Sequence, residues 1–287
     1  MSADLPRCAA SVHPLETTDD MTIIAEQAQG LIRHRRVLGT LIKRDLRVRY
    51  AGSALGYVWS VLDPLAMALI YFVVFTMIFK ARSVGHEPYI LHLIIGLFVW
   101  QWFSACMTET SRALLQDARL VKSTNLPREL WVVRLVLSKG LEFLFSLPVL
   151  LCFVLGYGVA GKLHLHWTLI YFPLAMVLTF VLATGLGLIL APITVLVTDM
   201  ARVVRIVLRM GFYATPIIYS VQSAPQTIRN VLAFNPMSGI MELYRAGFFS
   251  GELARRSVLI SVIISLLMLL IGSVVFRRYE PAVLKEI

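Results

Sequence analysis

Apolar residues in this chain come in long runs divided by short polar joints, unlike the alternation of a half-buried strand. Five runs approach the roughly 20 residues that a helix needs to cross a hydrocarbon core. They are Tyr57–Phe79, Tyr89–Thr108, Gly140–Val159, Trp167–Leu190 and Ser257–Phe276. A sixth, Val203–Ser220, is weaker because Arg205 and Arg209 occupy its first two turns. Pro64, Pro148, Pro173, Pro192 and Pro216 fall in or beside these runs. Membrane helices tolerate them because neighbouring helices re-satisfy the freed carbonyls. The stretch ahead of the first run has a different period. On a helical wheel Leu31, Leu38, Leu41, Ile42 and Leu46 share one side, and Arg33, Arg36, Lys43, Arg44 and Arg47 the other. This predicts a basic amphipathic helix, within residues 31–52, lying along a membrane interface. Asp45 and Arg49 break the pattern, four apart on the apolar side. Their candidate partners are each other or a second protein. Gly52 and Gly56 then permit a sharp bend.

Charge decides how many runs to accept. With six spans and the N-terminus inside, Lys and Arg number 20 on the cytoplasmic side and 7 on the outer side. That bias follows the positive-inside rule. Dropping the weak fifth run would put Arg277 and Arg278 outside, against it. The expected fold is therefore an all-α integral membrane protein with six transmembrane helices and both termini cytoplasmic. Hydrophobic residues at 58% and charged ones at 15% agree, since soluble domains hold roughly 45–50% and 25%. The net charge of +10 then points to anionic lipid headgroups and orientation, with no nucleic acid as partner.

The remaining chemistry is sparse. Cys8, Cys106 and Cys152 lack metal-type spacing and imply neither disulfides nor zinc. His164 and His166 supply only two ligands, so no metal is expected. Gly156–Leu163 has the G-x-x-x-x-G-K spacing of a phosphate loop, but Leu163 replaces the required hydroxyl and a membrane run precedes it. Residues 1–30 lack the apolar core of a signal peptide and read as a mobile, slightly acidic tail. The rest, 53–287, forms one membrane domain with no loop large enough for an enzyme domain. Glu109 and Glu142 are acids at membrane depth, and Glu142 could pair with Arg205 or Arg209. Ser220–Phe249 is too polar to span and too apolar for a plain loop; Pro225, Asn235-Pro236 and Gly239 divide it into two short helical pieces.

The order of residues in "LIKRDLRVRYAGSALGYVWSVLDP" resembles the permease subunit of ABC-2 type polysaccharide exporters, which carry O-antigen, capsule, teichoic acid or lipid-linked galactan. Arg44-Asp45, Arg49-Tyr50, Leu55-Gly56, Trp59 and Pro64 carry the likeness. Later motifs agree: Thr215–Tyr219 reads TPIIY, Asn235-Pro236 and Tyr244-Arg245 follow, and Phe276–Pro281 closes the last run. The resemblance spans about residues 31–281.

The resemblance implies a homodimer with two ATP-binding cassette subunits, which hold ATP and Mg, so this chain needs no cofactor and is no enzyme. It places the protein in the cytoplasmic membrane, moving a lipid-linked polysaccharide. Asp45, Arg49, Leu120, Lys122, Asn125 and Arg128 become candidate ATPase-coupling residues. Asn235, Pro236, Tyr244 and Arg245 become an outer gate built from short re-entrant helices between spans five and six. Sugar rings stack on aromatic faces. Tyr57, Trp59, Phe72, Phe75, Phe79, Trp100, Trp102, Tyr213 and Tyr219 are therefore candidates to line the substrate channel, against ordinary core packing and interfacial belts. A drug or small-lipid exporter is the nearest competing reading. An ion-coupled carrier would need more acids at mid-membrane. A glycosyltransferase would need more outer carboxylates than Glu87 and Glu252.

Overall fold

The longest helices form where the apolar runs are longest. In the computed structural model, residues 29–53, 55–78, 88–163, 165–249 and 253–287 are described, and every regular element among them is helical. The proposed mobile tail falls almost wholly outside the described residues, as do Phe79, Glu87, His164 and Glu252.

The amphipathic stretch folds as α1 (Arg35–Tyr50), and Gly52 and Gly56 follow it at φ 77° and 50°. Those left-handed values make the bend that turns the chain into α2 (Trp59–Phe72), which widens into a π-helical stretch over Val73–Ile78. Then come α3 (Tyr89–Thr110), two short helices, α4 (Ala113–Gln116) and α5 (Ala118–Ser123), and the long α6 (Glu129–Val159). A 3-10 turn at Trp167–Ile170 leads into α7 (Tyr171–Leu196), followed by α8 (Met200–Ala214), α9 (Gln226–Leu232), α10 (Pro236–Arg245) and α11 (Arg255–Glu286).

Among the described residues, four segments are long and apolar enough to cross a membrane: α3, α6, Trp167–Leu196 and α11. The other two predicted spans are shorter here. In α2 the apolar helix is Val61–Phe72, and α8 ends at Ala214 instead of Ser220. Pro216 explains that stop: it drives the preceding Thr215 to an extended conformation (φ −104°, ψ 141°) that ends the helix. Elsewhere helices outrun the apolar runs. The third was expected from Gly140, but α6 starts at Glu129; α7 continues to Leu196 and α11 to Glu286. Hydropathy marks only the oily part of a helix, whereas ion pairs and packing carry these helices onward through polar residues.

Helix α3 is buried nearly all round, as expected of a helix that is apolar on every side. Helices α2, α6, α7, α8 and α10 pack around it. The closest pair is α7 with α11. A Cβ added at Gly272 would sit 2.2 Å from the Gly185 carbonyl oxygen, and one at Gly185 would sit 2.5 Å from the Leu269 amide. Small residues let the two backbones touch, the usual device for helix contact in lipid. Gly272→Ala should therefore push α11 off α7 and destabilise the protein by about 1–3 kcal/mol, read as a lower thermal midpoint in detergent. An unchanged midpoint would refute this contact as a source of stability.

Candidate functional site

Helix α1 is fastened to the bundle by charge. Arg44 Nη2 donates to Asp45 Oδ1 at 3.2 Å and to Asp117 Oδ1, at the α4–α5 junction, at 3.1 Å. Arg134 of α6 donates to the same two acids, to Asp45 Oδ1 at 3.3 Å and to Asp117 Oδ2. Its guanidinium also lies over the Trp131 ring, 4.8 Å from the centroid. Two cations and two carboxylates thus join α1, the α4–α5 connector and α6.

A second cluster lies further along α1. Arg49 reaches Glu109 of α3 at 2.6 Å and Glu142 of α6 at 3.2 Å, and Lys139 reaches the same two acids at 3.1 and 2.9 Å. The sequence-based pairings do not form. Asp45 and Arg49 point to separate clusters rather than to each other, and Glu142 meets Arg49 and Lys139 rather than Arg205 or Arg209. Tertiary partners displaced the local pair because α6 brings buried cations within reach. Asp117 and Arg134 were missed as partners of α1, and Lys139 as a member of the second cluster. The sequence signals for the two cations were their place ahead of a long apolar run and, for Lys139, its spacing of three from Glu142.

Beside this cluster α1, α2, α3 and α6 enclose a cavity of about 210 Å³, lined among others by Arg49, Trp59, Asp63, Gln101, Trp102 and Glu142. Of the connector candidates, Leu120, Lys122 and Asn125 are exposed beside buried Val121. Arg128 is partly buried and meets Glu280 of α11 at 3.5 Å. The exposed trio forms a free knob on a base held by Asp117 and Arg128.

The TPIIY and NP…YR motifs meet in space. Asn235 caps α10 by accepting from the Met237 amide at 3.0 Å. Its Nδ2 donates to the Ala214 carbonyl at 3.2 Å and to Thr215 Oγ1 at 3.0 Å. The Arg245 side chain, almost wholly buried, donates to the carbonyls of Pro216 (2.6 Å), Ile217 (2.9 Å) and His92 (3.1 Å). Gly96 of α3 makes this possible, since a Cβ there would lie 2.6 Å from Arg245 Nη2. Buried Tyr244 shares a hydrogen bond with Thr179 of α7 at 3.2 Å.

The aromatic candidates separate. Trp59 and Tyr213 are exposed, at 47% and 64%. Phe72 is partly buried, and the Tyr219 hydroxyl donates to the Tyr213 carbonyl at 3.4 Å. Trp100 and Trp102 are buried within this chain, Trp102 stacked on Phe143 at 4.9 Å and Trp100 edge-on to Phe212 at 6.1 Å. The side chains of Tyr57 and Phe75 lie outside the described residues, with Phe79. Gly156–Leu163 sits at the C-terminal end of α6, where carbonyls converge. That is the wrong end of a helix for a phosphate.

Residues 36–249 match the family described as ABC-2 type transporter. The chain is 28% identical over 244 residues to an O-antigen export system permease protein of Klebsiella pneumoniae, covering 85% of this chain and 92% of the relative. It is 29% identical over 257 residues to one of Myxococcus xanthus, covering 88% and 96%. A polysialic acid transport protein of Escherichia coli is 25% identical over 246 residues, covering 85% and 93%.

Proposed function

This chain belongs to the ABC-2 type transporter family, and we propose that it is the permease subunit of an ATP-driven polysaccharide exporter. Two copies would form a conduit between them across the cytoplasmic membrane, each with six spans and both ends inside. Two separately encoded ATPase subunits would bind the cytoplasmic face. The cargo is a lipid-linked polysaccharide of O-antigen, galactan or teichoic-acid type, a reading supported by near full-length relatives with O-antigen export in their names.

One observation carries the mechanism: Asp117 and Asp45 are each held by both Arg44 and Arg134. A push on the exposed Leu120–Asn125 knob would thus pass through Asp117 to α1 and α6 together. The second cluster extends the path to α3, the most enclosed helix. The hydrogen bonds from Asn235 and Arg245 would hold the far end until α8 moves. Of the nine channel candidates, Trp59 and Tyr213 are exposed and available to a passing glycan, and Tyr57, Phe72, Phe75, Phe79, Trp100, Trp102 and Tyr219 stay candidates for the assembled conduit.

Reconstitution of the chain with its ATPase in liposomes tests this. ATP should drive a lipid-linked glycan into the lumen, and the chain alone should neither hydrolyse ATP nor move glycan. Hydrolysis or transport by the isolated chain would refute the reading, and drug transport without glycan transport would replace it.

A further inference from the structure

One side of α8 carries three arginines in line. Arg202, Arg205 and Arg209 are three and four residues apart, and Tyr213 continues the row one turn later. All four are exposed, and no described residue forms an ion pair with any of the arginines. The side about a quarter turn away packs inward through Ala201, Val204, Leu208 and Phe212. Gly211 on that side touches Trp100, 3.1 Å from where a Cβ would lie.

Trp100 stands half-way along the 22-residue α3. Arg209 precedes Gly211 by two residues, about 3 Å of helix rise, so its Cα lies near the level of that midpoint. In a membrane crossed by α3, this level is roughly 15 Å from either headgroup region. A guanidinium there is too deep to rest on the phosphates of the surrounding bilayer, and exposure to lipid tails is costly. Arg209, at the deep end of the row, must face water or an anion.

Next to the row runs an exposed apolar strip, Val203, Ile206, Val207 and Met210. A cationic strip beside an apolar one fits a ligand whose anion is bonded directly to hydrocarbon. Guanidinium forks take phosphate oxygens in pairs. Arg205 and Arg209, four apart, hold their Cβ atoms about 5–6 Å from each other, a gap that one diphosphate can bridge. We propose that Arg202, Arg205 and Arg209 form a ladder that binds the phosphate or diphosphate of a lipid-borne substrate and receives it from the start of α8 to mid-membrane level. This rests on the exporter reading and assigns residues to the anionic end of its cargo.

The test uses the full chain in phosphatidylcholine nanodiscs, with geranylgeranyl diphosphate, geranylgeraniol and inorganic diphosphate as probes. The prenyl diphosphate should bind at least about tenfold tighter than the alcohol, as expected for charge-assisted hydrogen bonds. R205Q/R209Q should erase that preference, while R205K/R209K, which keeps the charge, should retain most of it. Equal binding of diphosphate and alcohol overturns the proposal, as does an unchanged preference in R205Q/R209Q. If that variant fails to fold, the wild-type comparison of the two prenyl probes decides. Inorganic diphosphate binding as tightly as the prenyl form would reveal a plain anion site and overturn the lipid assignment. Complete block by phosphatidylglycerol discs would assign the row to bilayer headgroups and also overturn it. The co-reconstituted exporter separates the two readings. Diphosphate binding without glycan export leaves the ladder and removes the exporter, whereas export undiminished in R205Q/R209Q does the reverse.

Discussion

Arg134→Ala should destabilise the protein by about 3–5 kcal/mol, the cost of stripping one partner from a buried ion pair. Arg134 is 1% exposed, and its loss leaves Asp45 and Asp117 facing each other's charge with only Arg44 between them. It also uncovers the Trp131 face. Stability would be measured as detergent-solubilised melting temperature, and the connection by a double-mutant cycle with Asp117→Asn. The two changes should combine to less than their sum, since both remove one contact. In the proposed complex with an ATPase, Arg134→Ala should leave ATP hydrolysis running while glycan export falls, because the knob would no longer move α1. A variant as stable as the parent and fully coupled would refute the network as a mechanical link.

How much of this was legible in the sequence depended on the distance over which each signal acts. The wheel of Leu38, Leu41, Ile42 and Leu46 against Arg36, Lys43 and Arg47 predicted α1, because a helix's own period writes that pattern. The break before α10 was legible too, since Asn before Pro is a local start signal, and Asn235 does cap it. The partners of Asp45, Arg49 and Glu142 were not. Apart from Arg44 beside Asp45 and Lys139 three residues before Glu142, they lie 60 to 93 residues away, and no local rule selects among equally charged candidates that far along the chain. The start of α6 was hidden for the same reason. Arg134 and Lys139 look like connector cations until their acids are known, and only then does an apolar run beginning at Gly140 become a helix beginning at Glu129. Aromatic exposure was equally silent. Trp59 and Trp102 read alike as residues, yet one faces outward and the other stacks on Phe143.

The same reasoning bears on the non-helical Thr215–Tyr219 segment. Its backbone would sit in a poor solvent for unpaired carbonyls, and such segments persist in membranes only where protein or water satisfies them. Here protein does so: one guanidinium takes the carbonyls of Pro216 and Ile217, and Asn235 takes that of Ala214. The break in α8 and the two short helices after it are therefore one construction.

Arg245→Ala should open that construction. Three carbonyls would lose a charge-assisted donor at once, and each such bond contributes about 1.5–3 kcal/mol. Partial relaxation toward water should leave a net loss of about 3–5 kcal/mol, comparable to the loss of Arg134. Lysine should rescue little, because a single ammonium on a flexible stem cannot hold the His92 carbonyl and the two TPIIY carbonyls in one plane. Gly96→Ala supplies the independent check. It leaves Arg245 in place but puts a methyl group 2.6 Å from Nη2, so it should shift the guanidinium and weaken the same bonds. Both variants should then raise hydrogen exchange at the amides of Ile217–Tyr219 while leaving those of α6 protected. If Gly96→Ala leaves that segment as protected as the parent, the guanidinium is not what holds it.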